Sequence, residues 1–206
     1  MLTSVIICPG IHESSLTESF VKGLLETVSN NSSHEESVNI LKCPTNNLFA
    51  LSGLHIWQFL HDNLVDKLES PVVFISFSAG VVGAIAAASL WQIFGGNVKA
   101  FIAIDGWMVP LGGNFPIHRM SHDYFTHWSS CLLGCGDRNF YAQPAVEHLE
   151  LWRSPASVKG YWVDSLSGAP MRIFLGEKNS HGYTSEKSDT SLSAAEFLQI
   201  LLKRYS

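Results

Sequence analysis

Val72-Val73-Phe74-Ile75-Ser76-Phe77-Ser78-Ala79-Gly80-Val81-Val82-Gly83-Ala84 joins a run of β-formers to a run of helix-formers through a turn of small residues. Ser78 stands on the corner. A sharp strand-to-helix turn of this kind lifts a hydroxyl clear of a buried sheet, and small neighbours let the backbone fold back tightly. The stretch therefore predicts a strand ending at Ser78 and a helix from Ala79 to Phe94, stopped by Gly95-Gly96.

The same alternation extends to both sides. Thr3 to Cys8 reads as a buried strand ended by Pro9-Gly10, and Leu16 to Thr27 carries apolar residues at helical spacing. Val38 to Cys43 is a second strand, and Leu51 to Leu68 a second helix. After the corner, Val98 to Ile104 forms a fourth strand that delivers Asp105. Met171 to Gly176 is a fifth, and Leu192 to Tyr205 a closing helix. Strand and helix in alternation imply right-handed crossovers and a parallel sheet. The strands are continuously apolar, as expected of a sheet covered on both faces. The expected fold class is α/β, a three-layer α/β/α sandwich with a mainly parallel sheet of about five strands. One domain spans 1–206. Residues 106–168, with four of the nine histidines, lose the simple alternation and are expected as an insertion or cap-like region over the active-site edge.

Ligands collect at the carboxyl ends of the strands in such a sheet. Those ends carry Cys8-Pro9-Gly10-Ile11-His12, Ser78, Asp105 and, after the fifth strand, His181. A serine hydroxyl is a poor nucleophile at neutral pH. It needs a histidine to accept its proton and an acid to fix that histidine's tautomer. Ser78, Asp105 and His181 supply the three types. Backbone N–H groups of Ala79, at the helix N-terminus, and of Ile11 or Gly10 are the candidate oxyanion donors.

Ser76-Phe77-Ser78-Ala79-Gly80 and Pro9-Gly10-Ile11-His12 resemble the alpha/beta-hydrolase family, in a compact form lacking the first two strands. The likeness runs through strand order over most of the chain. Asp105-Gly106-Trp107 with Gly113-Asn114-Phe115-Pro116-Ile117-His118-Arg119 is similar to uncharacterised cyanobacterial hydrolase-like proteins. Ser76 departs from the family's G-x-S-x-G at its first position. The resemblance implies Ser78 as nucleophile and His181 as base. The acid in most members follows the next strand, so Asp105 would be a less common placement. The expected activity is hydrolysis of a carboxylic ester or thioester through an acyl-serine, with no cofactor.

Other readings stay open. Asp123, Asp137 and Asp164 compete with Asp105 as acid, and His127 competes with His181 as base. His118 and His122 are four apart and would share a helix face, but no H-E-x-x-H pattern is present and no metal site is expected. His12, Trp107 and His127 are candidate lining of a substrate pocket, and the aromatics of 106–168 favour an apolar acyl or alcohol group. A fold that has lost its triad and serves as a binding or scaffolding protein is the alternative. The two differ in one contact: whether a histidine approaches Ser78 Oγ at about 3 Å.

The bulk numbers fit. Hydrophobic residues make up 46% and charged residues 15% of 206, which predicts a packed body rather than disorder. A net charge of −5 without a basic patch argues against nucleic acid as partner. The apolar run Ala79 to Leu90 is too short for stable membrane insertion. Met1-Leu2-Thr3 shows no basic leader. Cys8 and Cys43 read as buried, and Cys131 and Cys135 are not a C-x-x-C pair, so a reduced cytoplasmic protein is expected. The oligomeric state is not legible.

Overall fold

A computed structural model describes residues 3–30, 39–44, 47–64, 67–164 and 191–205. Strands β1 (Ser4–Cys8), β2 (Asn39–Lys42), β3 (Val72–Phe77) and β4 (Val98–Ile104) lie where the apolar runs put them. Between them come helices α1 (Ser14–Asn30), α2 (Asn47–Ala50) and α3 (Gly53–Asn63), and α4 (Gly80–Ile93) follows β3. The chain continues through β5 (Ile117–Ser121), α5 (Tyr124–Cys131), β6 (Arg138–Ala142), α6 (His148–Arg153) and β7 (Lys159–Asp164). It closes with β8 (Leu192–Ser193) and α7 (Ala194–Tyr205).

The sheet order is β2-β1-β3-β4-β5-β6-β7-β8. Neighbours from β2 through β6 pair parallel, whereas β6–β7 and β7–β8 pair antiparallel. The protein is thus α/β with a mixed sheet of eight described strands, not a mainly parallel sheet of about five. The difference arises in 106–168, where β5, β6 and β7 continue the sheet instead of lying over its edge. The fifth strand expected at Met171 to Gly176 lies outside the described residues.

Buried polar groups explain why β5 and β6 do not read as strands. His118, Arg119 and Asn139 interrupt their apolar pattern, yet each is enclosed and partnered. The Arg119 guanidinium donates to the carbonyl oxygens of Gly134 at 2.6 Å and Val109 at 3.0 Å. Asn139 Nδ2 donates to Gly136 O at 2.9 Å. His118 Nε2 accepts from the Tyr205 hydroxyl at 2.9 Å, and its Nδ1–H faces Arg138 O at 3.3 Å.

Alternate side chains of each central strand enter two cores. Val73, Ile75 and Phe77 of β3 pack with Phe20 and Leu24 of α1, Trp152 of α6 and Phe197 and Leu201 of α7. Val72 and Phe74 pack on the other face with Ile56 and Leu60 of α3 and Val81, Ala84 and Trp91 of α4. Burial on both faces is the reason these strands are mostly apolar, with Ser76 of β3 enclosed and Lys99 of β4 exposed. No described helix is long and apolar enough to cross a membrane.

Burial also sets an acid limit on stability. His118 and His127 are both pushed down to about 4 by desolvation of the charged form. Their folded values lie below the unfolded value of about 6.5. The stabilisation of the neutral rings is therefore complete above that value and lost as pH falls through the folded one. At pH 5 each histidine should cost about 2 kcal/mol relative to pH 7. Urea melts at both pH values test this, and His118→Gln should recover about half of the combined loss. Equal midpoints at the two pH values would contradict it.

Candidate active site

The corner forms as the sequence predicts. Ser78 has φ +52°, a left-handed conformation that costs a non-glycine residue energy. The turn is held in place by its neighbours. Ser78 N donates to Ile104 O at 2.9 Å, and Val81 N to Ser78 O at 3.1 Å. Gly80 lies so close to the Cys8 and Pro9 carbonyls that a Cβ would collide with them, which lets α4 start directly against the β1 loop. A Cβ on Gly10 would stand 3.0 Å from Ser78 Cβ, so the β1 loop lies beside the serine. Ser76, where the family motif has glycine, is buried in β3 and donates to Ile102 O at 3.2 Å.

Asp105 ends β4, the strand next to β3, also with positive φ (+51°). Its carboxylate is almost wholly enclosed. Burial by itself would raise its pKa, but hydrogen bonds from His122 and His148 outweigh this and hold it below the usual carboxylate value.

The histidine that meets Ser78 is His148. Its Nε2 lies 3.1 Å from Ser78 Oγ, and its Nδ1 lies 2.9 Å from Asp105 Oδ2. His148 is the first residue of α6. Trp152, one turn later on the same face, anchors the helix: it stacks on Phe20 at 3.7 Å and on Phe77 at 4.9 Å. The His148 ring itself rests on Phe77 at 4.7 Å. Phe77 thus supports this ring while the next residue supplies the hydroxyl.

A second imidazole shares the acid. His122, just beyond β5, places Nδ1 3.0 Å from Asp105 Oδ2, and its backbone N–H donates to Oδ1 at 2.9 Å. Its hydrogen bond to Asp105 raises its pKa against the opposing effect of burial.

These groups open into a cleft of about 430 Å³. Val82, Trp107 and Val109 form its apolar wall, and Ala79 lies beside Ser78 at its floor. Arg119 ties the 106–109 segment down through Gly106 O and Val109 O.

The other candidates fall elsewhere. His181 lies outside the described residues. Trp107 lines the cleft, but His12 and His127 are not among its lining residues. His127 is buried and stacked on Tyr141 at 5.2 Å, away from the cleft lining, and burial pushes its pKa down to about 4. His12 packs edge-on against Phe77 and meets Glu13 O at 2.9 Å. Ile11 is half exposed at the β1 loop. Asp123 caps α5 through Thr126 N, and Asp164 pairs with Arg138 at 3.5 Å. Asp137 N donates to Ile117 O at the start of β6. His118 lies in β5 and His122 just beyond its end, so the helix turn expected to pair them does not form.

Chemically, a hydroxyl, a neutral imidazole and a carboxylate in hydrogen-bonded series can transfer a proton from the first to the second while the third stabilises the charge formed. Compared with family models and with curated proteins, the chain matches none.

Proposed function

We propose that this protein is a serine hydrolase of the alpha/beta-hydrolase type, cleaving a carboxylic ester or thioester. The observation that carries the reading is the series Ser78 Oγ, His148 Nε2 at 3.1 Å and, across the same ring, Asp105 Oδ2 at 2.9 Å. Its chain order is Ser, Asp, His, and its serine lies on a strained strand-to-helix corner. A histidine within reach of Ser78 is also the contact that separates a catalytic reading from a scaffolding one.

In the proposed reaction His148 takes the proton as Ser78 Oγ attacks the acyl carbon, and Asp105 stabilises the imidazolium. The N–H groups of Ala79 and Ile11 hold the oxyanion. Collapse expels the alcohol or thiol, which takes the proton from His148. Water, deprotonated by the same ring, then releases the acid and regenerates Ser78. No cofactor enters these steps. The apolar wall favours an apolar acyl or alcohol group. We further place the protein in the cytoplasm, because its four cysteines read as thiols: Cys8 and Cys43 are buried side by side, with their sulfurs 3.5 Å apart.

A panel of p-nitrophenyl esters of increasing acyl length tests the reading. Wild type should hydrolyse the short and medium chains, with kcat/KM rising as the chain fills the cleft. Ser78→Ala should fall to background across the panel. Equal turnover by the two proteins would overturn the proposal.

A further inference from the structure

We propose that Asp105, His122 and His148 form a binding site for a borderline divalent cation such as Zn2+, and that the cation switches the hydrolase off. The binding part stands on geometry alone; the inhibition rests on the proposed role of His148.

A triad needs one imidazole on its acid, and here there are two. One ligand atom from each of the three residues lies within 4.8 Å of the others. Asp105 Oδ2 is 3.0 Å from His122 Nδ1 and 2.9 Å from His148 Nδ1. Zinc bonds of about 2.0–2.1 Å in a tetrahedron separate neighbouring ligand atoms by about 3.3 Å. The two oxygen–nitrogen separations thus need to open by only a few tenths of an ångström. The two rings stand at 77° to each other, 5.8 Å between centroids, so they converge on the carboxylate from different directions.

Two further features favour a metal. His122 Nε2 faces Asp123 Oδ2 at 3.6 Å, close to the carboxylate–histidine–metal relay that orients a ligating imidazole. The cleft beside the cluster leaves the fourth coordination position open to water. Two imidazoles and one carboxylate are a donor set suited to zinc rather than to magnesium.

Binding does not change the oxidation state of any group. Each imidazole coordinates through Nδ1 and carries its proton on Nε2. A neutral ring only exchanges tautomer, and a charged one gives its proton to solvent. The consequence for His148 is direct: its Nε2, now protonated, no longer accepts the Ser78 proton, and its Nδ1 no longer pairs with the carboxylate through hydrogen. Metal binding and general-base catalysis are therefore mutually exclusive at this ring.

Calorimetric titration of Zn2+ into the chelator-treated full chain tests the site. One cation should bind per chain, and Ser78→Ala, which lacks the proposed nucleophile, should bind it equally. His122→Ala and His148→Ala should each weaken binding by about 100-fold or more. Cys135→Ser should leave binding intact. Co2+ provides a check on the wild-type protein that needs no variant: a tetrahedral d–d spectrum without a thiolate charge-transfer band. Zn2+ should also inhibit ester hydrolysis with half-saturation matching the titration, reversed by EDTA. No stoichiometric binding, a thiolate band, or binding lost in Cys135→Ser but kept in His122→Ala would overturn the site. Binding without inhibition would overturn the switch. Binding to a protein that hydrolyses no ester would leave the cation site standing and count against the hydrolase reading instead.

Discussion

His148→Ala is expected to lower kcat/KM for a p-nitrophenyl ester by about 10^5–10^6-fold. The ring makes both contacts of the series, 3.1 Å to Ser78 and 2.9 Å to Asp105. Without it, Ser78 attacks as a neutral hydroxyl, and only cleft binding and the oxyanion donors remain. The fold should survive, because α6 is anchored by Leu151 and Trp152 in the core, whereas the His148 side chain is 40% exposed. Thermal melting should therefore change little. His181→Ala, measured beside it, should keep activity within about tenfold of wild type, since removing a group that is not the base does not raise the chemical barrier. The opposite ranking would restore His181 as the base.

Asp105→Asn should reduce kcat by about 10^4-fold while leaving KM nearly unchanged. The carboxylate accepts from the Nδ1–H of His148 and of His122 and from His122 N. An amide can accept with its oxygen only, and its NH2 must face a donor. The His148 ring then flips tautomer, presents Nε2–H to Ser78 and ceases to act as a base. The raised pKa of His122, which comes first from its hydrogen bond to Asp105, should fall in the same variant. Histidine NMR titration follows that fall independently of turnover. An unchanged His122 titration together with an unchanged kcat would remove Asp105 from the acid role.

Ser78 and Asp105 were legible because each follows a strand whose run is mostly apolar. Val72 to Phe77 are buried throughout and Val98 to Ile104 at every position but Lys99, so their ends, Ser78 and Asp105, can be located from hydrophobicity alone. His148 was hidden for the converse reason. His148 follows β6, and Arg138-Asn139-Phe140-Tyr141-Ala142 does not read as a strand, because Arg138 and Asn139 open it with polar side chains, although Asn139 is buried and donates to the Gly136 carbonyl. β5 is masked similarly by His118 and Arg119. Hydrophobicity does not mark β5 and β6 as parallel strands, so it does not mark the segments after them, where His122 and the α6 residue His148 lie, as strand ends. One signal was available: His148 and Trp152 are four apart after Pro144, with Leu151 beside Trp152. That spacing fits a short helix whose buried face carries a histidine.

Labelling with a fluorophosphonate, read by intact mass and peptide mapping, tests the central claim most directly. The account predicts one adduct per chain on Ser78, none in Ser78→Ala, and labelling slowed by orders of magnitude in His148→Ala with the fold intact. An adduct that persists in Ser78→Ala, or one that forms in His148→Ala at the wild-type rate, would contradict it.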